Sequence, residues 1–253
     1  MTFGSMDKKF HQKPDDDSAP KPARLERPEW QEEVLAVFDK MRSHKELYEM
    51  KAGKFSLTIL PNVFSPKYFT DSLWFAETLP EIVGKKRLLE VGPGTGIISL
   101  YCADAGAAVT ATDINPEATK NTELNAKKNG LDISVRNGDM FAAIRDDEKF
   151  DVIFWNHPFN NWNKPVDEML LRAGLDEQYA GLRKYTREAR KYLDEGGQLL
   201  LGTGDMADIQ EIEKIAEENG YQLTLLRKVD LPLEADSKVL NSYLIYRFDK
   251  KES

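Results

Sequence analysis

Leu88-Leu89-Glu90-Val91-Gly92-Pro93-Gly94-Thr95-Gly96 decides how the rest of this 253-residue chain is read. An apolar run leads straight into glycines at alternate positions, Gly92, Gly94 and Gly96, and a helix-compatible segment from Ile97 to Gly106 follows. Glycines suit a place where a strand turns tightly into a helix and the backbone passes close to a ligand that a Cβ would strike. The N–H groups at the start of that helix then face the ligand. Asp113, 19 residues after Gly94, ends the strand-like stretch Ala108-Val109-Thr110-Ala111-Thr112-Asp113. A carboxylate at a strand tip can accept hydrogen bonds from both hydroxyls of a ribose. It also stands where it can cap a helix beginning at Pro116. Glycines, strand and acid together point to a mononucleotide-type cofactor site at the mouth of a parallel sheet.

Around this stretch the pattern alternates. Strands are expected at 86–91, 107–113, 132–136, 150–155, 197–203, 221–229 and 242–248, with helices at 97–105, 116–128, near 140–145, 178–193 and 206–218. Such alternation implies right-handed crossovers and a sheet covered on both faces. Residues 230–241 contain Pro232 and no helical stripe, so the last two strands should pair antiparallel. The expected architecture is α/β and Rossmann-like: a seven-stranded, mostly parallel sheet whose last strand is reversed.

Upstream, residues 1–28 are charged, proline-rich and nearly free of bulky apolar groups, the composition of a disordered lead. Trp30, Val34, Val37, Phe38 and Met41 then form one stripe of an amphipathic helix expected to end near Gly53. A short strand at Phe55–Leu60, an aromatic irregular stretch and a helix over about Asp71–Val83 follow. The chain divides into a lead (1–28), a small helical cap or lid segment (29–70) and a cofactor-binding catalytic domain (71–253).

Lys and Arg number 35 against 43 Asp and Glu, a net charge of −8. That balance argues against a surface built to meet many phosphates, so nucleic acid is not the expected partner. One cysteine, Cys102, rules out an internal disulfide framework, suits a reducing cytoplasm and reads as a small buried apolar residue. No apolar run approaches membrane-spanning length. The histidines, His11, His44 and His157, are scattered and without cysteine neighbours, so no metal site is expected. Arg183, Arg187, Arg190 and Lys191 share a helix face that either receives an acidic partner or RNA or is simply solvated.

The fourth strand runs into Ile153-Phe154-Trp155-Asn156-His157-Pro158-Phe159. An Asn and a Pro at the carboxyl edge of a central strand sit where sheet crevices hold ligands. Over about residues 55–248 the chain resembles the class I S-adenosylmethionine-dependent methyltransferases. Within them it is most similar to the branch with an Asn-Pro-Pro-Tyr/Phe signature, which includes release-factor glutamine and rRNA guanine-N2 methyltransferases. The resemblance implies that S-adenosylmethionine is the cofactor and that Asn156 orients an acceptor nitrogen. It further implies that Pro158 shapes the turn and Phe159 packs on the acceptor. It places Glu90, Gly92, Gly94, Gly96, Asp113, Ile114, Asp139, Met140 and Asn156 around the cofactor. Asp139 would face the adenine amino group, or else cap the next helix, and Met140 would pack on the ring. Phe64-Ser65-Pro66-Lys67-Tyr68-Phe69-Thr70-Asp71 resembles the segment that covers the cofactor in this branch, so Phe64, Tyr68 or Phe69 is expected near the sulfonium or packed beneath a loop.

One position departs from the signature. His157 stands where a proline is usual, and its imidazole either accepts a proton from the acceptor or hydrogen-bonds locally. Asn160-Asn161-Trp162-Asn163-Lys164-Pro165 reads as a lid, with Trp162 stacked on the acceptor or docked on the body.

The leading expectation is methyl transfer to a nitrogen of a small-molecule or protein acceptor. A second reading uses the same site to cyclise the cofactor to azetidine-2-carboxylate and methylthioadenosine. A third is a nucleotide-binding module without chemistry. A nicotinamide-dependent oxidoreductase fits less well, because its spacing would be Gly-x-Gly-x-x-Gly.

Overall fold

The computed structural model describes residues 26–233 and 239–251, so nearly all of the expected lead lies outside the described residues. Helix α1, Arg27–Ser43, opens on a reciprocal Glu26/Glu29 capping box with proline in its first turn, and it buries the expected stripe. It ends well before Gly53. The stripe stops at Met41, and Tyr48-Glu49-Met50-Lys51-Ala52 alternates with a period of two, which is strand patterning. These residues form β1, Tyr48–Ala52, in an antiparallel hairpin with β2, Phe55–Ile59, around a turn in which Gly53 has φ 58°.

Helix α2 spans Asp71–Val83, as its pattern predicts. The main alternation follows with β3 (Arg87–Val91), α3 (Ile97–Asp104), β4 (Ala108–Asp113), α4 (Pro116–Lys128), β5 (Ile133–Asn137) and β6 (Phe150–Asn156). Beyond the motif come two short strands, β7 (Asn160–Trp162) and β8 (Leu175–Glu177), then α5 (Ala180–Ala189), β9 (Leu193–Gly204), α6 (Ile209–Glu218), β10 (Tyr221–Pro232) and β11 (Leu240–Lys250). The main sheet has seven strands in the order β10-β11-β9-β6-β3-β4-β5. Only β11 runs against the others, antiparallel to both β9 and β10. The last strand is thus reversed, as expected, and lies second from the edge.

Alternate residues of the central strands feed two cores. Leu88, Val152, Phe154, Leu200 and Ile245 face α2 and α3, while Leu89, Val91, Ile153, Trp155 and Leu201 face α5 and α6. Each such side chain contributes roughly 1.5–3 kcal/mol by leaving water. Asn121 and Asn125 of α4 are fully buried and hold the hairpin to this body: their amides meet the backbone of Thr58 and Leu60 at 2.7–3.0 Å. A third cluster lays α1 over the carboxyl rim of the sheet through Val34, Phe38, Tyr68, Phe69 and Leu170.

Two local expectations are corrected. Residues 140–145 form turns rather than a helix. Met140 has φ 54°, and buried Phe141 and Ile144 pin the segment to the core. The 160–165 stretch is not wholly a loop, because Asn160–Trp162 pairs in parallel with β8.

Gly96 caps α3 in the left-handed region at φ 83°, and a Cβ there would come within 2.8 Å of Thr122 Cγ2. Gly96→Ala should therefore lower stability by about 2 kcal/mol, from left-handed strain plus the clash. Urea denaturation checks this, and an unchanged midpoint would show that the loop relaxes freely.

Candidate active site

A cleft opens where β3, β4 and β6 end, between the glycine loop, the Asn156–Asn160 edge and the underside of α1. It has the position that parallel sheets give their ligands. Every residue expected to surround the cofactor lines it except Gly96, which sits behind the loop and shapes it.

Asp113 is 8% exposed. Its Oδ2 accepts from Gly94 N at 3.2 Å and its Oδ1 from Asn115 N at 2.8 Å. These two contacts fasten the strand tip to the glycine loop. Each carboxylate oxygen has a further lone pair for a ligand hydroxyl. Burial raises its pKa to about 6, partly offset by those two amides. The helix cap is a different residue: the Asn115 side chain accepts from Glu117 N at 3.0 Å. Glu90, buried at the end of β3, accepts from Ser99 Oγ, and burial raises its pKa to about 7.

Asp139 is exposed at the rim and pairs with Lys184 at 2.7 Å, so it carries no helix cap. Met140 lines the cleft, its carbonyl held by Thr112 Oγ1 at 2.9 Å. Phe64 and Phe69 also line it, stacked with centroids 5.5 Å apart. Tyr68 does not: it packs under α1, where its hydroxyl meets His44. Trp162 is likewise outside the lining, half-buried on β7, because strand pairing turns that segment away.

At the acceptor edge, Asn156 donates from Nδ2 to Asp71 Oδ2 at 3.1 Å, and its Oδ1 is buried without a partner. His157 is 2% exposed, and its Nε2 contacts Thr203 Oγ1 at 2.8 Å. Burial lowers its pKa to about 3, so the ring is neutral at physiological pH. Pro158 is buried, and the Phe159 ring packs against Tyr243, with centroids 6.3 Å apart. Sequence reasoning missed Asp71 and Tyr243 as lining residues; from the segment expected to form a helical cap, Trp30, Val34 and Phe38 of α1 face the same cleft. The amphipathic stripe of α1 carried that last signal, because a stripe must cover something.

The basic residues on and just after α5 are largely paired: Arg183 with Glu211 and Glu218, Arg187 with Glu188, and Lys191, beyond the helix end, with Asp146. Cys102 is fully buried. Among the described residues no three His, Cys, Asp or Glu side chains converge as a metal site, and no helix is long and apolar enough to cross a membrane.

The methyltransferase small domain profile matches residues 54–224. A Methanocaldococcus jannaschii protein provisionally named protein N5-glutamine methyltransferase is 31% identical over 196 residues, which are 74% of this chain and 94% of that one. Ribosomal RNA small subunit methyltransferase C of Vibrio vulnificus is 32% identical over 145 residues, 56% of this chain but only 38% of the relative. The Thermus thermophilus 16S rRNA N2 G1207 methyltransferase, solved with AdoMet and guanosine, superposes with a TM-score of 0.59 at 20% identity, covering 81% of this chain and 50% of that one.

Two of these three proteins are named for ribosomal RNA, which overturns the expectation that nucleic acid is an unlikely partner. A net charge summed over the chain does not describe the local surface that meets an acceptor. The cleft suits an adenosyl cofactor on its own evidence: a glycine loop open to close approach, a strand-tip carboxylate with spare acceptor capacity, and an orphaned amide oxygen opposite. With the family match, these observations make the chain a member of the methyltransferase small domain family, that is, a class I S-adenosylmethionine-dependent methyltransferase.

Proposed function

We propose that this methyltransferase acts on a side-chain amide nitrogen of a protein, with Asn156 orienting that nitrogen. The observation that carries the reading is the Asn156 amide, whose Nδ2 is committed to Asp71 while Oδ1 has no partner. An unpaired buried acceptor costs roughly 1–3 kcal/mol, which an incoming N–H would recover. Resemblance to a provisionally named N5-glutamine methyltransferase along 94% of that protein's length supports an amide acceptor.

S-Adenosylmethionine, when bound, supplies an electrophilic methyl group and departs as S-adenosylhomocysteine. In this reading Asp113 holds the ribose, Gly92 and Gly94 allow close approach, Ile114 and Met140 border the adenine, and Phe64 and Phe69 wall the sulfonium end. Asn156 accepts a hydrogen bond from the acceptor N–H and so aims its lone pair, which makes positioning and exclusion of water the main contributions. Phe159 packs beside the acceptor, and residues 29–70 roof the site through Trp30, Val34 and Phe38. The proton leaves after transfer, so no strong base is needed.

His157 then serves structure rather than proton transfer, consistent with its neutral, buried ring on Thr203. His157→Asn should keep turnover within about threefold, whereas loss of a proton carrier would cost on the order of a hundredfold or more. A steady-state kcat comparison separates these outcomes.

Incubating the protein with S-adenosylmethionine and glutamine-containing peptides, with mass spectrometry of the products, tests the reading. A single added methyl on the glutamine amide is expected. Modification of guanine in an RNA oligonucleotide alone would instead support a different acceptor, an exocyclic amine. That acceptor is favoured by the names of the rRNA-modifying relatives.

A further inference from the structure

Asp71 is a buried acid in the cleft for which the chemistry above has no use. It is the first residue of α2, 5% exposed, and lies 85 positions from Asn156 in sequence. Its Oδ2 takes the Asn156 Nδ2–H at 3.1 Å, and its Oδ1 accepts from Ser72 Oγ at 3.3 Å. No cation is paired with it among the described ion pairs. The titratable group facing it is Tyr243 of β11, whose phenol burial raises and so keeps neutral. Burial without a paired cation disfavours a carboxylate, so its retention there calls for a role.

A side-chain amide can sit either way round with nearly the same shape, and only one way presents oxygen to the acceptor. An ionised carboxylate accepts and cannot donate, so it selects the Asn156 NH2 and leaves Oδ1 as the exposed choice. We propose that Asp71 is a positioning residue that locks the Asn156 amide with its oxygen toward the acceptor nitrogen. The inference rests on the reading of Asn156 given above. It also sets a direction with pH. Burial raises the Asp71 pKa, and once protonated the acid can donate to Oδ1 and release the lock. Turnover should therefore fall as pH drops through that ionisation, and rise as pH climbs.

The test has two arms. In the first, the side-chain amide signal of Asn156 is followed by 15N NMR in protein saturated with S-adenosylhomocysteine, assigned by its loss in Asn156→Ala. We expect it to move with the titration of Asp71 and to be static with pH in Asp71→Asn and Asp71→Leu. In the second arm, methyl transfer to an acetylated, amidated glutamine tripeptide is measured. Asp71→Asn should lower kcat about tenfold and Asp71→Leu about thirtyfold, with S-adenosylhomocysteine affinity unchanged within about twofold. In an Asn156→Ala background either change should cost less than about twofold, the sign of a shared role.

An Asn156 signal blind to pH, or penalties undiminished in the Asn156→Ala background, would overturn the lock. Loss of S-adenosylhomocysteine affinity in parallel with kcat would also overturn it, placing Asp71 on the cofactor instead. If Asn156→Ala itself leaves transfer intact, the reading of Asn156 fails. If Asn156→Ala abolishes transfer while Asp71→Leu does not change it, the lock alone fails.

Discussion

Asn156→Ala should cut methyl transfer by on the order of a hundredfold or more while leaving S-adenosylhomocysteine affinity nearly intact. The residue closes β6 at the carboxyl rim, beside the backbone turn through Pro158, so its amide position is set by strand pairing with β3 and β9. Alanine removes the orphaned Oδ1 and with it the group that aims the acceptor lone pair. It also leaves Asp71 buried without its amide donor, which adds a stability cost separable by thermal denaturation. Single-turnover kinetics at saturating cofactor give the chemical step directly. Unchanged turnover would remove Asn156 as the positioning group.

The second large effect falls on cofactor binding. Asp113→Ala should weaken S-adenosylhomocysteine binding by ~1–3 kcal/mol, because a pair of charge-assisted hydrogen bonds disappears. Part of that loss comes from the glycine loop, since Gly94 N and Asn115 N both lose their acceptor. Asp113→Asn keeps the shape and one acceptor oxygen, so it should cost less.

The pKa of about 6 gives this prediction two opposite signs with pH. Ligand hydroxyls need the ionised carboxylate, so affinity should weaken as pH falls through 6, by up to about tenfold per unit. The free fold holds the Asp113 proton more tightly than the unfolded chain does. Its own contribution to stability is therefore present at low pH and is lost as pH rises through 6. Calorimetric titrations between pH 5 and 8, roughly spanning that ionisation, check the binding sign. Affinity independent of pH and of Asp113→Ala would show that the ribose is held elsewhere.

Much of this was legible in the residues themselves. The glycine run, Asp113 and the alternation of strand and helix patterns fixed the sheet, and α2 has the bounds its pattern predicts. Those signals are local: a period, a turn residue, a cap. The hairpin at Tyr48–Ile59 was half missed, because the helical stripe of α1 was extended past its last buried residue, Met41. The turn at 140–145 was misread because Phe141 and Ile144 have helical spacing, yet the backbone turns left-handed at Met140. For Tyr68 and Trp162 both a ligand-facing and a packed position were open, and the structure packs both away from the cleft, because neither a family segment nor aromatic character says which way a side chain turns.

The contact between Asp71 and Asn156 could not be read at all. Its two residues lie on separate elements, and only the folded sheet brings α2 to the end of β6. The same holds for Tyr243, carried to the cleft by the reversed last strand.

A crystal structure of the protein grown with S-adenosylhomocysteine tests the central claim most directly. We predict the ribose hydroxyls on the Asp113 carboxylate and the sulfur facing Asn156 across the open end of the cleft. An adenosyl group bound with its ribose away from Asp113, or with its sulfur turned from Asn156, would contradict it.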